Sequence, residues 1–343
     1  MSPDRYFKNA YHKLMETLRF ADPATSVSYP LPVRGNAQWI ASDAGTLWTL
    51  RLPSIPAGSI VTPSFAQLPD TDQHYRWHLR CSGRAWTLQA VPSVRHPTLP
   101  DRSDPAPSAP TAAEPEPVTT HIDCFHVHET LKDAELTLQL AAAAPFSRYL
   151  LTVSARRLDR AAVGVPPCQV SLPQAPPALT QMTADAAVAG RICSPTCVAM
   201  VMAHRERPSA ATDWNPLRDD MVAACLDPAT GMYGVWPLAL RSAAQRGSLG
   251  AVEMFDDWRD PLQVLAAGIP LITSIRFPRG GLSGAPLEQT GGHLVVLYAA
   301  GPDHVWVNDP AAAESGSVRR HYAADEFSKA WLSHRGAAYI LLP

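Results

Sequence analysis

Residues 190–205 read GRICSPTCVAMVMAHR, and this stretch decides how the second half of the chain is interpreted. An apolar face begins just after Cys193, and Pro195 suits the first turn of a helix, so the pattern predicts that Cys193 lies at a helix N-terminus. Free backbone N–H groups and the helix dipole stabilise an anion there, which lowers a thiol pKa and favours the nucleophilic thiolate. Such a cysteine is either a nucleophile or a buried structural thiol, and this segment alone leaves both open.

A thiol hydrolase also needs a base that removes the thiol proton and a third group that orients this base. Residues 290–312 read TGGHLVVLYAAGPDHVWVNDPAA, so that His293 opens an apolar strand and Asp309 ends the next one after a turn. The two ends of an antiparallel hairpin lie side by side, which predicts that Asp309 reaches the His293 ring. A core histidine and a turn-forming Asp-Pro pair is the structural alternative, and it stays open at this point.

Composition excludes several classes of protein. The chain has 343 residues and a formal net charge of −2, which argues against a protein built to bind nucleic acid or an anionic membrane. We find neither a run of about 20 apolar residues that could span a membrane nor a secretory signal. Six cysteines in a chain of this length are too few for a disulfide scaffold. We therefore predict a cytoplasmic protein with reduced thiols and without nucleic-acid or membrane partners. Leaderless export and the oligomeric state stay open.

The first part of the chain, residues 1–160, has a β-rich pattern. An amphipathic helix is predicted at residues 3–20, and eight short alternating strands follow between residues 37 and 154, punctuated by Gly, Pro, Asp and Ser. This pattern predicts an all-β domain of the sandwich or jelly-roll type. Residues 96–120 are rich in Pro, Ala and acidic residues, which predicts a mobile loop.

A second Pro-rich segment, residues 161–178, is predicted to link this domain to residues 179–343. Beyond the linker, helical patterns come first and strands follow, so the fold class predicted for the C-terminal domain is α+β with an antiparallel sheet. The predicted helices are at residues 194–205, 216–226, 236–246, 261–267 and 325–332, and the predicted strands are at residues 270–277, 293–300, 304–308 and 338–342.

From about Gln174 to the C-terminus, the chain resembles the C39-like cysteine peptidases, a papain-like group. The residues that carry the resemblance occur in the family's order over the whole C-terminal half: Gln181-Met182, Cys193-Ser194-Pro195-Thr196, Trp236-Pro237, GIPLITS at 268–274, GHLVV at 292–296 and VNDPA at 307–311. Ser194 stands where many relatives have glycine.

The resemblance implies a papain-like fold with Cys193 as nucleophile and His293 as general base and then acid. It also implies that Asp309 orients His293, and that Gln181 supplies the side-chain donor of an oxyanion hole beside the Cys193 N–H. The implied function is a cysteine hydrolase, a peptidase, that acts through an acyl-enzyme on a peptide or protein and needs neither cofactor nor metal. The alternatives are a non-catalytic binding protein that keeps the fold, or an acyltransferase or deamidase that uses the same residues.

Other residues have competing interpretations. Cys193 and Cys197 are four residues apart on one helix, but no second pair follows at zinc spacing, so we predict no metal there. Cys124, His126 and His128 alternate along one predicted strand, which suits either a zinc or copper patch or an ordinary solvated face. The predicted strands also carry four tryptophans that fit either a glycan-binding platform or a sandwich core: Trp39, Trp48, Trp77 and Trp86.

Overall fold

The computed structural model describes residues 26–28, 35–37, 40–42, 46–68, 73–93, 116–141, 149–158, 164–206 and 212–342. The predicted helix at 3–20, residues 96–115 of the Pro-rich loop and Trp39 lie outside the described residues. In chain order the elements are β1 (Ser26–Ser28), β2 (Gly35–Ala37), β3 (Ile40–Ala41), β4 (Leu47–Arg51), β5 (Ser59–Gln67), β6 (Tyr75–Cys81), β7 (Arg84–Thr87), β8 (Val118–Thr120), β9 (Phe125–Val127), β10 (Glu135–Leu140), β11 (Tyr149–Arg157), β12 (Val170–Ser171), α1 (Cys193–Arg205), α2 (Asn215–Cys225), α3 (Trp236–Ala244), β13 (Gly250–Met254), α4 (Arg259–Ala266), β14 (Leu271–Phe277), β15 (Thr290–Ala300), β16 (His304–Asn308), β17 (Arg319–Ala323), α5 (Ala324–Trp331) and β18 (Ala337–Leu341).

Strands β1–β11 form two sheets, with the strand orders β2-β1-β11-β5-β9-β8 and β3-β4-β10-β6-β7. The sheets share a core, in which the ring of Phe65 from the first contacts Tyr75 from the second edge-on, with centroids 5.1 Å apart. Trp48 and Trp77 are buried in this core, so these two do not form a surface platform. The separation of these sheets into a sandwich domain of their own stays a prediction.

The loop expected to be mobile ends earlier than predicted. Residues 118–120 form β8, which pairs with β9, and Val118 is 1% exposed. The predicted end was set by the Pro-, Ala- and acid-rich composition of the segment as a whole. The burial of Val118 instead fixes the end of the loop in the first sheet.

The C-terminal part combines helices with one antiparallel sheet in the strand order β13-β18-β14-β15-β16-β17, and β12 also pairs with β15. Side chains of α1, α2 and α3 pack with Ile272, Val296 and Tyr339 in one apolar cluster, whereas α4 and α5 pack with Leu271 and Val295 in another. Helices therefore cover both faces of the sheet, and the predicted α+β class is confirmed for this part.

The five described helices begin and end within two residues of the predicted positions. A proline lies in the first turn of four of them, where its missing N–H has no cost, and this explains why their starts could be predicted: Pro195, Pro216, Pro237 and Pro261. In the described part of the chain, no helix combines the length and the apolar character needed to cross a membrane.

Part of the predicted linker is bound to the C-terminal sheet. Val170 of β12 pairs with Ala300 of β15, and the Asn308 side-chain amide donates hydrogen bonds of 3.0 Å to the carbonyl oxygens of Pro176 and Pro177. Residues 170–177 therefore follow the sheet closely. The position of the domain boundary itself stays a prediction.

The first N-terminal sheet covers the open edge of the C-terminal sheet. Strand β13 is the edge strand, and its Val252 and Met254 N–H groups donate to the hydroxyls of Ser64 on β5 and Ser154 on β11, each at 3.0 Å. An uncovered edge strand offers unpaired backbone groups to other chains. The two serines satisfy these groups with side chains, so no further strand is needed.

A buried arginine joins the same two parts. Arg156 of β11 is 1% exposed, and its guanidinium donates to the carbonyl oxygens of Leu332 and, at 2.9 Å, of His334, and to the Asp256 carboxylate at 3.1 Å. Gly336, at φ +59°, packs so closely on it that a Cβ would lie 2.6 Å from Arg156 Nη1. Glycine is therefore required at this position both for its backbone conformation and for space.

We expect Arg156→Ala to lower the free energy of unfolding by about 3 kcal/mol or more, because it leaves buried carbonyl groups and the Asp256 charge without their partner. Denaturant unfolding monitored by circular dichroism measures this. Arg51→Ala is the matched control, since Arg51 is an 86% exposed side chain 3.6 Å from Glu135 and its loss costs less than about 1 kcal/mol. Equal losses in the two variants would contradict the structural role of Arg156.

A fully buried carboxyl group, that of Glu253 on β13, has no hydrogen-bond partner on either oxygen among the described residues. Burial, and then the nearby charge of Asp260, hold its pKa well above the ordinary value of 4.5, so the group is neutral in the folded protein. In the unfolded chain it ionises near its ordinary pKa. The stability that the neutral form provides is therefore present at low pH and is lost as the pH rises above that value.

Glu253→Gln keeps the volume of the side chain and removes the ionisation. We expect this variant to raise Tm relative to wild type by a few degrees at pH 8 and by less at pH 5, measured by thermal unfolding. Glu135→Gln, on the exposed face of β10, is the control and should give the same difference at both pH values. A Glu253→Gln difference that does not depend on pH would show that Glu253 is ionised in the folded state.

Candidate active site

Cys193 is the first residue of α1, as predicted, and is half-buried. No side chain caps this helix, so its first N–H groups are free to act on the thiol. Burial alone raises the pKa of the Cys193 thiol. A hydrogen bond with His293, the charge of that ring, and the N–H groups of Leu294 and Ser194 outweigh burial and hold the pKa below its ordinary value of 9.0.

His293 and Asp309 are in direct contact. His293 Nε2 lies 2.8 Å from Asp309 Oδ1, and the two side chains are 3% and 1% exposed. The second ring nitrogen, Nδ1, is thereby left for Cys193. Burial lowers the pKa of His293, but the Asp309 charge, the hydrogen bond to it and the contact with Cys193 outweigh burial and raise that pKa to about 10. These opposite shifts favour a thiolate next to an imidazolium.

Asp309 receives two further hydrogen bonds. The Tyr322 hydroxyl donates to Oδ2 at 2.7 Å, and the Ala311 N–H donates to Oδ1 at 3.0 Å. Burial raises the pKa of Asp309, but the His293 charge and these donors lower it below the ordinary value of 3.8. The sequence predicts no role for Tyr322, because only the pairing of β16 with β17 brings it to Asp309.

Gln181 lies on a loop that is tied to the segment after Asp309. Its backbone N–H donates to Pro310 O at 2.9 Å, and its side-chain Nε2 donates to Ala189 O at 2.7 Å. One amide hydrogen remains, and Oε1 is buried without a partner in the described part of the chain. The bond to Ala189 holds the Gln181 side chain near the start of α1, and among the described residues no hydrogen bond joins this side chain to Cys193.

The other residues of the Cys-Ser-Pro-Thr-Cys run have structural contacts. The Ser194 hydroxyl is buried 3.2 Å from the Tyr339 hydroxyl, so the serine in place of glycine has a partner. Cys197 donates to Leu294 O at 3.2 Å, and burial raises its pKa well above the ordinary value. Cys197 is therefore a neutral core thiol.

The predicted metal alternatives find no support. No set of three His, Cys, Asp or Glu side chains among the described residues is arranged to hold a metal ion. Cys124 is fully buried, whereas His128 is exposed and lies 2.9 Å from the Thr119 hydroxyl. The exposure of the three side chains thus differs along the alternation, from the buried Cys124 to the exposed His128.

The loop before α3 contacts Arg191, just before α1, and is bonded to Gln89, which follows β7. Arg191 stacks over the Tyr233 ring, 5.6 Å from its centroid. Near the beginning of this loop, Asp227 accepts two hydrogen bonds from the Gln89 side chain, at 3.0 and 3.1 Å. A separate cavity of about 430 Å³ lies between residues 174–179, residues 212–215 and Arg319, and neither Cys193 nor His293 lines it.

Comparison with known proteins agrees with this geometry. Residues 174–339 match the model of the Peptidase_C39 like family. The match covers just under half of the chain. A crystal structure of a candidate C39-like peptidase from Bacillus anthracis is 13% identical, covers 51% of this chain and 98% of its own, and gives a TM-score of 0.36, a similarity too low to assign the fold. A search of the curated proteins found no match.

In the C39-like domain, residues 174–339, we expect Cys193 to react with iodoacetamide below pH 9, because its lowered pKa keeps thiolate present there. In His293→Ala, burial dominates and the profile should move above pH 9. Mass spectrometry of the alkylated peptides across pH 5–10 measures both rates. The exposed Cys168 serves as the internal control and should not respond to His293→Ala. Identical Cys193 profiles in the two proteins would mean that His293 does not act on the thiol.

Proposed function

We propose that the protein is a cysteine hydrolase, most specifically a peptidase, in which Cys193 is the nucleophile, His293 the general base and acid, and Asp309 the residue that orients His293. One observation carries the proposal: a thiol at a helix N-terminus with a lowered pKa, in contact with a buried histidine whose other ring nitrogen lies 2.8 Å from a buried carboxylate. Core histidines and turn-forming aspartates do not require a helix-terminal thiol beside them.

The proposed reaction starts from the thiolate–imidazolium pair. The Cys193 thiolate attacks the carbonyl carbon of a peptide bond, and an oxyanion forms. As the C–N bond breaks, His293 gives its proton to the leaving amine, and the acyl group stays on Cys193. His293 then takes a proton from water, which attacks the thioester and releases the carboxylic acid and the thiolate.

The oxyanion needs hydrogen-bond donors that are in position before the reaction. The Cys193 N–H is one proposed donor, since the first N–H groups of α1 have no intrahelical partner. The remaining amide hydrogen of Gln181 is the second. Its hydrogen bond to Ala189 and its backbone bond to Pro310 hold this amide on the side of the site next to Asp309.

We also propose that residues 1–160 form a β-rich unit that positions the substrate, joined by residues 161–178 to the domain at 179–343. This proposal is supported by the contacts of Gln89 and Arg156 with the C39-like domain. The expected substrate is a peptide or protein. Composition alone supports the proposed cytoplasmic location and the proposed absence of nucleic-acid and membrane partners.

Cys193→Ala should lower the rate of peptide hydrolysis by at least about 10³-fold, because the nucleophile is lost while the hydrogen bonds that hold the fold remain. The substrate for this measurement is a peptide library from a proteome digest, in which mass spectrometry detects the new termini whatever the sequence preference of the enzyme. Cys168→Ala is the control and should keep full activity. Turnover of any accepted peptide by Cys193→Ala at the wild-type rate would overturn the proposal.

A further inference from the structure

Basic side chains meet where the N-terminal sheets contact the C39-like domain. Arg276 of β14, Arg335 from the loop between α5 and β18, and His126 of β9 form this basic cluster, and all three are half-buried. Burial, then His121, Arg335, His128 and Arg276, lower the pKa of His126 to about 4, which reflects how close these groups lie. Burial and the nearby Arg335 likewise lower the pKa of Arg276.

The donors of the basic cluster lack acceptors. Arg276 Nε and His126 Nε2 are buried and have no hydrogen-bond partner in the described part of the chain. Arg335 stacks over the Trp236 ring, 5.6 Å from its centroid. Asp123, which lies near Arg335, already accepts the Trp236 N–H at 3.2 Å, and burial raises the pKa of its carboxyl group. The cluster therefore combines positive charge with two buried nitrogen atoms, Arg276 Nε and His126 Nε2, that have no hydrogen-bond partner among the described residues.

The register of β14 and β15 places the basic cluster beside the proposed active site. Ser274 pairs with Leu294, whose N–H bonds the Cys193 thiol, and Ile275 pairs with His293. Arg276 lies two residues beyond Ser274 on the same face of β14, about 7 Å further along the strand.

The strand opposite Arg276 leaves room for a ligand. The pairing shifts between Ile275 and Phe277, so Gly291 and Gly292 lie across from Arg276, immediately before His293. Both glycines are exposed, and a Cβ added at either would meet no atom within 4 Å. An extended peptide that reaches Cys193 can therefore run past these glycines and within reach of Arg276.

We propose that Arg276, Arg335 and His126 bind the carboxylate of an acidic side chain on the peptide substrate, close to the scissile bond. The proposal rests on the proposed peptidase function and adds its substrate class. Two guanidinium groups and an imidazole suit a carboxylate because a charge-assisted hydrogen bond is about twice as strong as a neutral one. His126 comes from outside residues 174–339, so the N-terminal sheets contribute to specificity.

Pairs of quenched fluorogenic peptides that differ only by Glu or Gln at one position near the scissile bond test this. At one position, we expect the Glu peptide to have a kcat/KM about tenfold higher or more. Arg276→Gln and Arg335→Gln should each bring this ratio close to one. Arg279→Gln is the matched control, because it removes the same charge from the same hairpin. Arg279 is exposed in an ion pair of 2.7 Å with Glu288, so the ratio should not change.

If wild type cleaves Glu and Gln peptides equally at every position, the subsite inference is overturned and the peptidase function stands. If wild type cleaves no peptide, the proposed peptidase function is overturned, and a binding measurement then tests the subsite separately. In Cys193→Ala, glutarate should then shift the His126 ring resonances in NMR spectra, and the shift should disappear when Arg276→Gln is added. Shifts with inorganic phosphate but not with glutarate or Glu peptides would indicate a site for free phosphate and would overturn the inference, as would no shift with any of these probes.

Discussion

A carboxylate that is withdrawn from water costs several kcal/mol unless hydrogen-bond donors or a cation replace the solvent. Asp309 is 1% exposed, and three donors from separate segments meet it: the His293 ring, the Tyr322 hydroxyl and the Ala311 N–H. The need to satisfy this one charge fixes β15, β17 and the turn after β16 relative to one another. Since Gln181 is bonded to Pro310, the loop that carries the proposed oxyanion donor depends on the same turn.

The N-terminal sheets complete the C39-like domain structurally. An edge strand must be paired, covered or otherwise protected, and β13 is protected by Ser64 and Ser154, which lie on two neighbouring N-terminal strands. Arg156 adds a buried charge that bonds Asp256 and two carbonyl groups of the C-terminal part. A C39-like domain separated from these strands would expose a free edge and three unpaired acceptors, so the two parts depend on each other for stability even though the family match begins at residue 174.

What could be predicted from the sequence was local. A proline in the first turn indicates where α1 begins. The hairpin of β15 and β16 has a short turn, so its pairing, which brings Asp309 to His293, could be predicted from the sequence. Tyr322 escaped prediction because its contact depends on the pairing of two strands across an irregular connection. Strand β13 was not predicted either. All five of its residues are buried, so it lacks the alternation of polar and apolar residues, and Glu253 interrupts its apolar residues. Sequence patterns could not predict the basic cluster, because its three residues come from distant segments of the chain.

The contacts between the N-terminal part and the C39-like domain also affect the substrate specificity that we propose for the candidate active site. The family domain supplies the thiol, the histidine and the aspartate, all within residues 174–339. The walls around them are held from outside it: Gln89 fixes the loop at Asp227, and Asp123 accepts the first N–H of α3. A change in the N-terminal part can therefore alter these walls while the His293–Asp309 contact stays intact, because both of its residues lie within residues 174–339. The proposed chemistry thus lies within residues 174–339, whereas the proposed recognition draws on residues from both parts of the chain.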